Sequence, residues 1–170
     1  MTAVPRRVVA ADANVLINLI HVARLDLCGV IPGHEFVVPD HVREEITDAA
    51  QRAALEDAIA RDALDVVSIT DIHTIELYAE LTVCLGRGES ACLALAVERG
   101  WTVASDEKGR FRREAVARIG EARLVGTVYI FVLAIRAGLI TIEEADIDKA
   151  TLDAHRFSMP FGSFREVLST

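Results

Sequence analysis

The chain has 170 residues, a formal net charge of −8, and 52% hydrophobic against 26% charged residues. That is the length of about one domain, and the composition excludes a disordered chain. The acidic balance excludes a protein that coats nucleic acid non-specifically, because such binding rests on Lys and Arg neutralising phosphates.

Residues 7–11 (RVVAA) read as a short buried strand, with Asp12 directly after it. Apolar residues at 15, 16, 19, 20, 23 and 27 recur at a helical period, and Gly29 and Pro32-Gly33 end that helix. Phe36-Val37-Val38 is a second strand stopped by Pro39, and Asp40 can cap a helix running through Val42 and Ile46 to Ala60. Residues 64–69 (LDVVSI) form a third strand. Residues 72–85 are helix-like and interrupted by Gly86-Arg87-Gly88; a new helix runs from Glu89 to Arg99 with Gly100 as its stop.

Residues 101–105 (WTVAS) are a fourth strand, ended by Asp106, and a charged helix over 107–119 is closed by Gly120. Residues 123–125 are a fifth strand. Gly126-Thr127 leads into an apolar helix, 128–137, capped by Gly138. Thr141 with Glu144 has the capping-box pattern of a last helix reaching Ala154. Strands alternating with helices imply an α/β fold with a mainly parallel sheet, whose strands read as near-continuous apolar runs.

Arg6-Arg7 is followed by only a short apolar run, so no signal peptide is expected. The longest apolar stretch, 124–135, falls short of the ~20 residues of a membrane span. Cys28, Cys84 and Cys92 are an odd count without CxxC spacing, which points to reduced thiols in a cytoplasm, each expected as a small buried hydrophobe. His21, His34, His41, His73 and His155 show no ligand spacing and are expected at the surface.

The informative pattern is where the acids fall. Asp12 follows strand one and Asp106 follows strand four, and in open parallel sheets ligands bind outside the carboxyl ends of strands. Glu89 opens a helix behind Gly86 and Gly88, and Glu44 and Glu45 lie in the helix after strand two. Four segments thus deliver carboxylates to one rim. Two like charges ~4 Å apart repel by about 4 kcal/mol at an effective dielectric of 20, so such a cluster asks for a cation. Hard oxygen donors suit Mg²⁺ or Mn²⁺, whose chemistry includes phosphodiester hydrolysis. Taken singly, each acid is also explained by the preference of carboxylates for first helical turns.

The segments VVAADANVLINL (8–19), VVPDHVREEI (37–46), LGRGESACLALA (85–96) and TVASDEKGR (102–110) resemble, in order and spacing, the PIN-domain family. RLVGTVYIFVLAIRAGLI (123–140) resembles one branch in which a Gly-Thr pair opens an apolar helix, so the resemblance runs over residues 7–168. It implies a single three-layer PIN-like domain over residues 1–170, with helices flanking a central, mainly parallel sheet of about five short strands. It also implies a metal-dependent ribonuclease acting on RNA, with Mg²⁺ or Mn²⁺ as cofactor, and a toxin role beside a cognate antitoxin.

By position, Asp12, Glu45, Glu89 and Asp106 match the family's metal-binding and catalytic acids. Asn14 and Ser105 match its small polar supporting positions; Glu44 is an alternative to Glu45, and Glu107 can add a carboxylate. For RNA, residues 106–123 hold six basic side chains (Lys108, Arg110, Arg112, Arg113, Arg118, Arg123) against four acidic ones. Arg110, Lys108 and Arg87 are the residues expected to meet phosphates.

Rival readings are a dinucleotide-binding Rossmann-like protein, because Gly86-x-Gly88-x-x-Ala91 with Asp106 beyond it matches the fingerprint, and a non-catalytic PIN-like RNA-binding module. The first needs its glycines to follow a strand. Asp12-Ala13-Asn14 lacks the second Asp of an aspartyl-phosphate enzyme, and Gly88-x-Ser90 lacks the last glycine of GxSxG. Phe157, Phe161 and Phe164 are expected in the core, with a homodimer as the other use of the apolar C-terminal helices.

Overall fold

A computed structural model describes residues 4–170. Its strands are β1 (Arg7–Ala11), β2 (His34–Pro39), β3 (Asp65–Val67), β4 (Thr102–Ala104) and β5 (Leu124–Val125). Its helices are α1 (Ala13–His21), α2 (Asp40–Glu45), α3 (Ala49–Ala60), α4 (Ile72–Leu81), α5 (Arg87–Arg99), α6 (Gly109–Ile119), α7 (Thr127–Arg136), α8 (Ile142–Ala154) and α9 (Phe164–Leu168). The sheet is parallel throughout, in the order β3-β2-β1-β4-β5. This is the expected α/β architecture, a five-stranded sheet flanked by helices.

The strand centres Val9, Ala10, Ala11, Val37, Val38, Val103 and Ala104 are buried, which is why they carry no alternation. Residues 91–96 of α5 are buried all round, because that helix lies against β1 and β4 with α2, α4 and α6 beside it. Small residues (Ala91, Ala94, Ala96) allow this close seat. Across the sheet, α1 packs on α3, α7 and α8.

The chain leaves β1 towards β2 on one side and enters β4 on the other. The crevice between the carboxyl ends of β1 and β4 is therefore the topological switch point, where ligands sit in open α/β sheets.

Several boundaries differ from the sequence expectation. The helix foreseen from Asp40 to Ala60 is two helices. Ile46 is extended (φ −83°, ψ 91°), and Asp48 captures the Gln51 amide to cap α3. A side-chain cap competing with the backbone ladder divides a continuous apolar pattern, and Glu45 becomes the last residue of a short helix. α1 stops at His21, and Leu25 and Leu27 belong to a separate 3-10 turn, Leu25–Gly29.

The terminal α9 had no periodic signal. Ser163 caps it, the Asp146 carboxylate accepts from Ser163 Oγ and the Phe164 amide, and Phe164 stacks on Phe131 with centroids 5.4 Å apart. Phe164 is thus core as expected, while Phe157 and Phe161 are half-buried. Cys84 is exposed rather than a buried hydrophobe, and His21, His34 and His41 are half-buried rather than on the surface. No helix among the described residues is long and apolar enough to cross a membrane; the 124–135 stretch divides into β5 and α7.

Candidate functional site

Asp12 is 3% exposed at the end of β1, where its own amide donates to the Ala104 carbonyl of β4. Its Oδ1 accepts from the Ala13 amide (2.9 Å), capping α1; its Oδ2 accepts from Ser105 Oγ (3.1 Å) and Asn14 Nδ2 (3.3 Å). Asn14 ties the crevice together: Nδ2 also reaches Ser105 Oγ (3.4 Å) and Glu107 Oε1 (3.2 Å), while Oδ1 accepts from the Asp106 amide (3.0 Å). Asn14, expected to orient the first acid, and Ser105, expected as the small polar residue before the last acid, both bond the Asp12 carboxylate.

Asp12, Glu45, Glu89 and Glu107 line one cleft of about 500 Å³ together with Asn14 and Gly86. Glu45 Oε1 accepts from the Gly88 amide (2.8 Å), and Glu89 Oε2 accepts from the Gly86 amide (3.0 Å) in a capping arrangement at the start of α5. The other oxygen of each, Glu45 Oε2 and Glu89 Oε1, accepts no hydrogen bond among the described residues. The adjacent Glu44 turns outward, its side chain 62% exposed, and pairs with Arg87 at 3.6 Å. Geometry thus separates Glu45, which the resemblance matched to the second acid, from its alternative Glu44.

Asp106 is not part of that cleft. Its Oδ1 accepts from the Thr127 amide (2.9 Å), and its Oδ2 from Thr127 Oγ1 (2.5 Å) and Asn18 Nδ2 (3.2 Å). The carboxylate lies at the amino end of α7, where a Cβ on Gly126 would come within 2.3 Å of Oδ1. Glu107, one residue on, faces the acids instead. The positions Asn18, Gly126 and Thr127 were not foreseen as site residues. Asn18 offered a signal, as a polar residue in an apolar helical run four positions after Asn14.

The electrostatics follow from burial. Loss of water pushes the Asp12 carboxyl up to about 7; the Ala13 amide and Ser105 hydroxyl oppose this, and Glu89 and Glu45 add repulsion. Glu89 is raised by burial, against the Gly86 amide, with Glu107 and Glu45 adding to it. Asp106 is raised by burial despite its Thr127 and Asn18 bonds. The cleft thus disfavours negative charge, as a site does when a cation would relieve it. The donors are hard oxygens suited to Mg²⁺ or Mn²⁺, although no three of these side chains stand close enough to share one ion among the described residues.

The glycine loop follows α4, not a strand, and a Cβ on Gly88 would lie 2.5 Å from Glu45 Oε2. A carboxylate occupies the space a pyrophosphate would need, which removes the basis of the dinucleotide reading. Of the expected RNA contacts, Lys108 borders a neighbouring cleft with Asp106, Glu107 and Arg156. Arg110 is exposed and makes no ion pair among the described residues, and the exposed Arg87 pairs with Glu44 at 3.6 Å.

A family model described as PIN domain matches residues 8–168. The chain belongs to the PIN-domain family. PIN domains are generally nucleases. A solved structure of VapBC2 from Rickettsia felis bound to a DNA fragment from their promoter is similar to this PIN domain with a TM-score of 0.49 and 13% identity, over 71% of this chain and 98% of that one. No curated protein matches in sequence.

Proposed function

We propose that this PIN domain is a ribonuclease that requires Mg²⁺ or Mn²⁺ to hydrolyse RNA phosphodiester bonds, and that it is the toxin of a toxin–antitoxin pair. The observation that carries the reading is the arrival of Asp12, Glu45, Glu89 and Glu107 from separate segments at one cleft beside the switch point, with the Asp12 carboxyl pushed up to about 7. Because no three of these carboxylates stand close enough among the described residues to share one ion, two of Asp12, Glu45 and Glu89 would hold the cation with water completing its shell, and Glu107 would be the fourth carboxylate in the place expected of Asp106. A bound divalent cation lowers the pKa of water and stabilises charge on a phosphate.

The chain's own residues do the rest. Asn14 holds Asp12, Ser105 and Glu107 in register through one amide. Glu45 Oε2 and Glu89 Oε1 are the oxygens left free for a ligand. Lys108 and Arg110 offer positive charge to the flanking phosphates, and a cognate antitoxin would cover the acidic cleft with basic or aromatic residues. Metal-dependent RNA cleavage, absent in EDTA, is the primary test. Glu45→Gln is expected to lower it about a hundredfold or more, the loss of roughly 3 kcal/mol of electrostatic stabilisation, while Glu44→Gln stays near wild type. Full activity of Glu45→Gln, or cleavage indifferent to EDTA, would overturn the reading.

A second variant tests the seat of Glu45. Gly88→Ala puts a methyl against the Glu45 carboxylate, the movable end of a side chain, so the helix gives way little. Thermal unfolding in EDTA is expected to change by less than about 1 kcal/mol, while the stabilisation from added Mn²⁺ shrinks. An unaltered Mn²⁺ response would place Glu45 outside the site.

A further inference from the structure

At the amino ends of β1 and β4, on the sheet edge opposite Asp12, a second cleft of about 490 Å³ is lined by Arg6, Arg7, Arg99, Arg123 and Trp101, and no carboxylate among the described residues lines it. Four arginines line this cleft in a chain of net charge −8. Arg123 donates to the carbonyls of Ala96 (2.5 Å) and Trp101 (3.0 Å) where α5 ends, and Arg99 lies over the Trp101 ring, 4.9 Å from its centroid. Arg7 donates to the Tyr129 hydroxyl at 3.2 Å.

Neutral partners orient Arg7, Arg99 and Arg123 without cancelling their charge, although the Asp71 carboxylate feels the charge of Arg99. None of the four makes an ion pair among the described residues. Like charges gathered this way are unfavourable until an anion joins them. Guanidinium forks match phosphate oxygens in pairs, and an indole beside them is a surface on which an unpaired base stacks.

We propose that this cleft binds single-stranded RNA through its phosphates, as a second contact distinct from the acidic cleft. β1 separates the two: five residues at ~3.3 Å each put the arginines about 17 Å from Asp12. The choice of RNA among polyanions rests on the nuclease reading; the geometry for binding phosphate does not.

Trp101 is the chain's single tryptophan, so its emission reports on this cleft alone. The experiment titrates the full chain, in EDTA, with single-stranded RNA at several salt concentrations, following Trp101 emission and the anisotropy of labelled RNA. Duplex DNA and inorganic tripolyphosphate serve as competitors. Three to four phosphate contacts predict a slope of log affinity on log salt of about −2 to −3. Arg6→Glu, which leaves the Arg99–Trp101 pair and the α5 carbonyls untouched, is expected to weaken binding several-fold and make that slope shallower by about 0.7. Unaltered affinity and slope in Arg6→Glu, or RNA binding that leaves Trp101 emission unmoved, would overturn the site. Duplex DNA or tripolyphosphate binding as tightly as RNA would overturn the RNA assignment. Because binding is read without metal or cleavage, its failure and that of the nuclease reading are told apart.

Discussion

Asp12→Asn is expected to raise the thermal stability of the metal-free protein at pH 8 while lowering metal-dependent RNA cleavage about a thousandfold, roughly 4 kcal/mol of lost transition-state stabilisation. The Asp12 carboxyl is pushed up to about 7 from an ordinary 3.8, chiefly by burial. A folded state that holds the proton more tightly than the unfolded chain is favoured at low pH. Its stability declines as pH rises from about 4 to about 7, and the deficit persists above that. Three pKa units correspond to about 4 kcal/mol as an upper bound.

Asparagine removes this titration. Its oxygen keeps the Ala13 amide, and its NH₂ can donate to Ser105 Oγ but opposes Asn14 Nδ2, so the net gain is about 1–3 kcal/mol. For a chain of this size that raises Tm by several degrees. Melting curves in EDTA from pH 4 to pH 8 check the sign: the wild type falls and Asp12→Asn stays flatter. In the wild type, the stabilisation from Mn²⁺ grows across the same window, since metal and proton compete for one oxygen pair. A variant that melts lower at pH 8 and still cleaves RNA would make Asp12 an ordinary helix cap.

The next largest effect separates the two neighbouring acids. Asp106→Asn is expected to destabilise the fold by about 1–2 kcal/mol, because the loss of the Thr127 and Asn18 bonds to its two oxygens outweighs the relief of a burial that raises its pKa less than that of Asp12. An amide there turns one acceptor into a donor and leaves a buried donor without a partner, at about 1–3 kcal/mol each. It also removes a negative charge from the amino end of α7. Glu107→Gln, on an exposed side chain, is expected to leave Tm in EDTA unchanged while weakening the Mn²⁺ response. The reverse pattern, an intact fold but no Mn²⁺ response in Asp106→Asn and a silent Glu107→Gln, would return Asp106 to the metal.

The strands and most helices were legible because their signals are local. Apolar runs mark strands buried on both faces, Gly100 and Gly120 stop α5 and α6, and Thr141 with Glu144 caps α8. The break at Ile46 and the short α9 were not, since each depends on a side chain capturing a backbone amide: Asp48 on Gln51, Asp146 on Phe164. Periodicity is blind to such captures.

Sequence by itself determined the fold class, the segments that carry acids and the edge of the sheet they reach, because strand–helix alternation obliges a parallel sheet and its carboxyl ends share one side. The resemblance put Glu45 before Glu44 and Asp106 before Glu107, and the tertiary structure turns Glu45 and Glu107 into the cleft. Glu45 and Glu44, like Asp106 and Glu107, are adjacent residues of one chemistry. What divides them is a partner distant in sequence: the Gly88 amide drawing Glu45 in, and Thr127 with Asn18 turning Asp106 away. Hydrogen bonds of that range exist only after β1, β4 and α7 have come together, so no local pattern of residues records them.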